Sequence, residues 1–272
     1  MSGRRLGAVG GAAALVLGLF AVVGVLGAMG VVGGEHGRFV AAPYAAPEAG
    51  LWLGADALGR DLAVRALAGA QVSLAVGLGG ALAAVGLGAL LGGVAGLRGG
   101  AVGRSLVALT DAVAAIPGVV ALLGAALVVG PGVGGVVAAI GLTQWTGVFR
   151  AVRAEARRLR AAEFVRAAEA MGAGTLHQLR VHLVPHLAPL LRASFALLFV
   201  HAVKVEAVLA FFGYSSQATP SWGLLLAECG GEVTRGIWWP LVAASAPLAA
   251  LVLAAQALAD RLGDQEGRGD YL

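Results

Sequence analysis

Six apolar stretches dominate this chain, each long enough to cross about 30 Å of hydrocarbon at about 1.5 Å per helical residue. They fall roughly at Leu6–Val32, Gln71–Leu97, Ser105–Val129, Val133–Phe149, Leu187–Phe212 and Ile237–Ala259. A backbone in lipid must satisfy its own hydrogen bonds, so runs of this kind become helices. Composition agrees. Hydrophobic residues make up 59% of the chain and charged ones 12%, where a soluble domain carries about 25% charged. The sequence therefore predicts an all-α integral membrane protein with six transmembrane helices. It divides into residues 1–70, a first helix with an external segment, and residues 71–272, a five-helix core interrupted by a linker at 150–186. The first run exceeds the about 7–15-residue apolar core of a secretory signal and reads as a retained span. Pro131, flanked by Gly130 and Gly132, predicts a tight turn that pairs spans three and four as a hairpin.

Arginine placement predicts orientation. With the N-terminus inside, the cytoplasmic segments hold Arg4, Arg5, Arg98, Arg104, the seven arginines between Arg150 and Arg180, Arg192, Arg261 and Arg268. The opposite side holds only Arg38, Arg60, Arg65 and Arg235, so fourteen stand against four. Both termini are expected in the cytoplasm. The net charge of +4 thus marks topology rather than nucleic-acid binding. Gly88, Gly92 and Gly96 recur every fourth residue. They form either a small-residue packing face or simply reflect the abundance of glycine in membrane helices. Cys229 is the single cysteine, so no internal disulfide is expected and neither a zinc nor a redox motif is signalled.

The linker is the least lipid-like part of the chain. Arg150 to Met171 reads as one helix with Phe164, Ala168 and Met171 on one face. Gly172-Ala173-Gly174 breaks it. Thr175 followed by Gln178 restarts a helix with a capping-box pattern. Leu176, Leu179 and Leu183 line its apolar side, and Pro185 stops it before span five. Apolar anchors set among charges suit either a membrane surface or a groove on a protein partner.

Within the linker, Glu163-Phe164-Val165, Ala167-Ala168, Gly172-Ala173, His182 and Pro185 resemble the EAA loop of ABC-importer permeases in its peptide/nickel-branch form. Arg166 stands where the general motif has its first Glu, His182 where it has Ile, and Val184 where it has Leu. Leu53 to Gly77 resembles that branch's L-G-T-D-x-L-G-R-D segment, and Glu206 to Gly223 its E-A-x-L-S-F-L-G-x-G and P-S-W-G segment. Asp111 ahead of Ile116-Pro117 is similar to its aspartate before a proline in span three. The resemblance implies the type I importer permease fold in the plasma membrane of a prokaryote. It implies a homologous sister permease, two cytoplasmic P-loop ATPases and an extracytoplasmic substrate-binding protein as partners. It also assigns ATPase coupling to Glu163, Phe164, Ala167, Ala168, Met171, Gly172, Ala173, Leu176, His182 and Pro185. Cargo of the branch is di- or oligopeptide, with nickel or a metal chelate as the alternative.

The residues themselves carry no ATP chemistry. A P-loop needs Lys followed by Ser or Thr, whereas the only lysine, Lys204, precedes Val205. The chain is thus not expected to be an enzyme or to hold a cofactor, and ATP with Mg²⁺ falls to a partner. Asp111, Lys204 and Glu206 lie deepest in apolar sequence and are candidates for the pathway or for interhelical pairing. An Asp111–Lys204 contact is expected. The three histidines His177, His182 and His186 fall near Pro185 and carry no metal-site expectation. Asp56 to Ala68 reads as a short external helix capped by Asp56, and Trp222 as an interfacial anchor. Asp56, Arg60, Asp61 and Trp222 are candidates for receiving a binding protein, or for merely closing the outer mouth. A gradient-driven transporter would instead use the three intramembrane charges as a relay, with internal repeats; none is clear in this chain.

Overall fold

The computed structural model describes residues 2–163, 170–172, 174, 181, 184–216 and 218–269, with side chains from 11 to 261. Regular structure in these residues is helical apart from three isolated bridges. The order is α1 (Ser2–Ala28), α2 (Leu62–Arg98), α3 (Gly100–Ala115), α4 (Gly118–Val129), α5 (Val133–Arg160), α6 (Val184–Phe211), α7 (Trp222–Glu228) and α8 (Trp239–Gly269), with a 3₁₀ turn at Val233–Arg235.

Helix α2 is the central post. It starts nine residues before the apolar run, so the division expected at residue 70 falls inside an unbroken helix. Its cap is Asp61, whose Oδ1 accepts from the N–H groups of Ala63 and Val64. The short helix expected from Asp56 does not form; Asp56 instead holds the loop before α2.

Helices α2 and α5 pack in parallel, and glycine is what lets them approach. A Cβ on Gly88 would meet the Trp145 carbonyl oxygen at 2.7 Å, one on Gly92 the Phe149 carbonyl oxygen at 2.6 Å, and one on Gly96 the Ala156 methyl at 2.5 Å. Partners rise in number together, from Gly79 against Val137 to Gly96 against Ala156. The glycine face is therefore a packing face.

That parallel register settles what the third apolar run must do. Between Val137 and Ala156 helix α5 advances about 28 Å. The segment between α2 and α5 has to return over that distance to reach Val133. It does so as two helices, α3 and α4, bent by 99° at Ile116-Pro117. The expected continuous span is thus a broken one. Pro117 lacks an N–H and pushes Ile116 out of the helical region, to φ −76°, ψ 130°. Gly130 and Gly132, at φ of 97° and 100°, make the α4–α5 turn that Pro131 predicted.

The core between α2, α4, α5 and α6 joins Val72, Val76, Leu122, Ala126, Val136, Ile140, Val205 and Leu209. Helix α1 leans on the other side, where Leu17, Phe20 and Val23 meet Phe199, Trp222 and Leu251. Five helices plus the bent pair are long and apolar enough to cross a membrane. The loops at 29–61 and 212–238 gather at one end of the bundle, and the last turn of α5, with Arg157, Arg158 and Arg160, lies at the other.

Candidate functional site

At the arginine end, α5 continues past its apolar portion to Arg160. Arg157, Arg158 and Arg160 occupy its last turn, where the negative end of the helix dipole favours cations. The helix expected to run on to Met171 is interrupted sooner. Ala161 and Ala162 donate to the carbonyls of Arg158 and Leu159, a tightened turn that ends α5. Glu163 follows and is exposed. Met171 is 82% exposed. Gly172 has φ +83°, and a Cβ there would find nothing within 4 Å. The backbone thus takes the left-handed turn that glycine permits, and its surroundings among the described residues are open. Pro185 lies in the first turn of α6, where the missing N–H costs nothing; the helix it was expected to stop lies largely outside the described residues. Phe164, Ala167, Ala168, Ala173, Leu176 and His182 lie outside the described residues.

At the opposite end a buried ion network ties three segments together. Asp56 Oδ1 accepts from the N–H groups of Leu58 and Arg60. Its Oδ2 accepts from Arg60 Nε at 2.7 Å and from Arg65 Nη1 at 2.5 Å. Arg65, its side chain 3% exposed, also donates from both Nη atoms to Glu228 on α7. Burial works to raise the Asp56 pKa, but the Arg60 and Leu58 N–H groups and the two guanidiniums outweigh it and hold the carboxyl below its ordinary range. Tyr44 adds a fourth tie, donating from its hydroxyl to Glu232 at 2.7 Å.

Trp222 is no interfacial anchor. It is 1% exposed. Its Nε1 donates to the Ala66 carbonyl at 2.7 Å, its backbone N–H to Ser73 Oγ, and its ring meets Phe20 edge-on. A Cβ on Gly69 would strike its ring at 2.8 Å. Asp56 and Trp222 are therefore unavailable to a docking partner, and Asp61 is occupied as a helix cap. Of the four candidates Arg60, with its side chain 20% exposed, and the half-buried Asp61 keep an accessible edge.

The intramembrane charges separate. Glu206 is 1% exposed, with Ser215 Oγ donating to Oε1 at 3.2 Å and Ser215 in turn bonded to Ser221. It fastens the 213–223 turn to α6 from within the protein and is walled off from any path. Asp111 pairs with Arg150 at 3.0 Å, not with Lys204. Lys204 is exposed and has no hydrogen-bond or ion-pair partner among the described residues. A double-mutant cycle of thermal melts should give coupling for Asp111→Asn with Arg150→Met. It should give none beyond about 0.5 kcal/mol for Asp111→Asn with Lys204→Met.

Tyr44, Arg65, Ser73, Ser215, Ser221 and Glu228 escape the sequence reading. Their partners lie up to 188 residues away, and only the glycines at 69 and 223 marked where a side chain from elsewhere would intrude.

Comparison with known proteins fits this architecture. Residues 84–264 match the model of the binding-protein-dependent transport system inner membrane component. The chain is 31% identical over 219 residues to the dipeptide transport system permease protein DppC of Bacillus subtilis strain 168, covering 80% of this chain and 68% of that one. It is 33% identical over 214 residues to the di/tripeptide transport system permease protein DppC of Pseudomonas aeruginosa strain UCBPP-PA14, covering 78% and 70%. The oligopeptide transport system permease protein OppC of Bacillus subtilis strain 168 is 29% identical over 188 residues, covering 69% and 62%. A multi-pass helical bundle, matched over its core to such a model, belongs to the family of binding-protein-dependent transport system inner membrane components.

Proposed function

We propose that this chain is one of two homologous permease subunits of an ATP-driven importer of di- or oligopeptides. The observation that carries this reading is its identity of 31–33%, across about four-fifths of its length, to permeases named for dipeptides and di/tripeptides. The chain supplies half of the translocation path. A separate pair of cytoplasmic ATPases binds ATP and Mg²⁺, and an extracytoplasmic binding protein delivers cargo. Fourteen arginines against four support a cytoplasmic side for the 150–186 linker. There the exposed Glu163 and Met171 and the open left-handed turn at Gly172 face outward from the bundle.

Co-expression with the ATPase and sister subunits, then reconstitution in liposomes, tests this directly. ATP-driven uptake of a labelled dipeptide is expected, and uptake that persists without ATP would overturn the proposal. Gly172→Trp should abolish ATPase association and uptake. Membrane insertion should survive, because that Cβ meets nothing within 4 Å among the described residues beyond its chain neighbours. Gly172→Ala adds only the about 1 kcal/mol strain of a left-handed side chain and should retain most uptake. Equal loss in both variants would point to backbone strain instead of a contact.

A further inference from the structure

Helix α6 has one face that its own chain leaves uncovered. Leu197, His201, Lys204, Val208 and Phe211 are all exposed. Their spacing of four, three, four and three places them in a single stripe along the helix. The other side is buried: Ala202, Val205 and Leu209 pack with Leu122 and Ala126 of α4, and Glu206 is turned inward to Ser215. Beside the stripe, α4 exposes Val120, Leu127 and Val128.

Lys204 decides what this face looks at. It stands seven residues inside the end of α6, about 10 Å down the helix. The Cα–Cβ bond of a helical residue tilts toward the helix N-terminus. For Lys204 that direction is toward the arginine end, deeper into the bundle and away from the nearer interface. An ammonium so directed is unfavourable in lipid. The other cations with resolved partners are answered within the chain: Arg150 by Asp111, and Arg65 by Asp56 and Glu228. Lys204 has no such anion among the described residues, and its near neighbour Glu206 lies about 200° round the helix and is buried.

We infer that the α6 stripe lines the translocation path and that Lys204, with His201 one turn away, receives the carboxylate of passing cargo. This rests on the peptide-importer reading, and the chemistry fits it. A peptide with a free C-terminus brings an anion that an unpaired ammonium can hold by a charge-assisted hydrogen bond, while Leu197, Val208 and Phe211 offer apolar contact to its side chains. One cation holds a carboxylate without enclosing it, as passage requires.

The test uses the assembled transporter in liposomes, with dialanine and dialanine amide as probes. Lys204→Gln should slow dialanine uptake about tenfold, the loss of one charge-assisted bond. It should leave the amide within about twofold of wild type, and Lys204→Arg should restore dialanine. Equal slowing of both probes, or wild-type rates for both, overturns the inference. Lys204→Cys gives a reading independent of turnover. Cys229, the only other thiol of this chain, is 3% exposed, and burial pushes its pKa up, so background labelling of this chain is small. A membrane-impermeant thiol reagent should label the Lys204→Cys thiol, and excess dialanine and dialanine amide should protect it alike, because the ammonium that tells them apart is gone. Absence of labelling, or of that protection, also overturns the inference. A wild-type complex that moves neither probe with ATP defeats the peptide-import reading instead, and labelling with protection still decides whether Lys204 lines the path.

Discussion

Gly92→Leu is expected to prevent the bundle from assembling. The first added carbon would meet the Phe149 carbonyl oxygen at 2.6 Å, the Phe149 Cα at 3.1 Å and the Arg153 nitrogen at 3.2 Å. All three are backbone atoms of α5, so no rotamer change relieves them; the two helices must separate. Overpacking where side chains can yield costs about 1–3 kcal/mol, and here the obstacle is a helix backbone, so the cost lies at or above the top of that range. Separation would also unseat Trp145 and Phe149, which pack edge-to-face 5.7 Å apart beside this contact. Gly86→Leu is the control. It sits on the same helix, and a Cβ there meets nothing within 4 Å. Size-exclusion profiles and thermal melts of purified protein should show Gly86→Leu close to wild type and Gly92→Leu aggregated or melting far lower. A stable Gly92→Leu protein would mean that α2 and α5 do not pack in this register.

What the sequence made legible follows the range of the physics involved. The spans other than the third and the Gly130-Pro131-Gly132 turn are local patterns, set by hydropathy and spacing within one or two helices, and they appear where expected; the Gly88–Gly96 spacing leaves two readings open, and the approach of α5 decides for a packing face. Pro117 offers a cue for the bend at Ile116-Pro117, but the sequence reading takes the run as one continuous span. The apolar run is unbroken across it, and hydropathy cannot distinguish one straight helix from two at an angle. Ion pairing was harder still. Asp111 has two basic candidates on later helices, and helix rotation selects Arg150 over Lys204. Trp222 shows the same gap. An indole in a loop between spans resembles an interfacial anchor, and only the approach of α2 at Gly69 turns it into a buried wedge. The candidate coupling residues were found through resemblance rather than pattern, and the exposed turn at Gly172 is the part of them whose geometry is on view.

Arg65→Met should be the most damaging single change at the loop end of the bundle. The guanidinium is 3% exposed and bridges Asp56 to Glu228. Removing one partner of a buried ion pair costs about 3–5 kcal/mol, because the charge left behind stays desolvated. The lower end applies here, since Arg60 still reaches Asp56 and Glu228 is 38% exposed. The orphaned charge, not the lost packing, is the source of the cost, so Asp56→Asn in the same chain should recover part of it. A double variant no better than the sum of the single changes would place the damage in packing instead. Acid should separate the same causes. The Asp56 carboxyl titrates below its ordinary 3.8 in the folded chain. Its stabilisation is therefore complete above that value and fades as the pH falls from there toward the lowered one. Arg65 is one of the groups holding the carboxyl down, so melts taken between neutral pH and pH about 3 should show a shallower acid loss from this site in Arg65→Met than in wild type. If the two profiles run parallel, Arg65 is not what keeps Asp56 ionised, and the tie between the loop before α2 and α7 rests on Arg60 reaching Glu228.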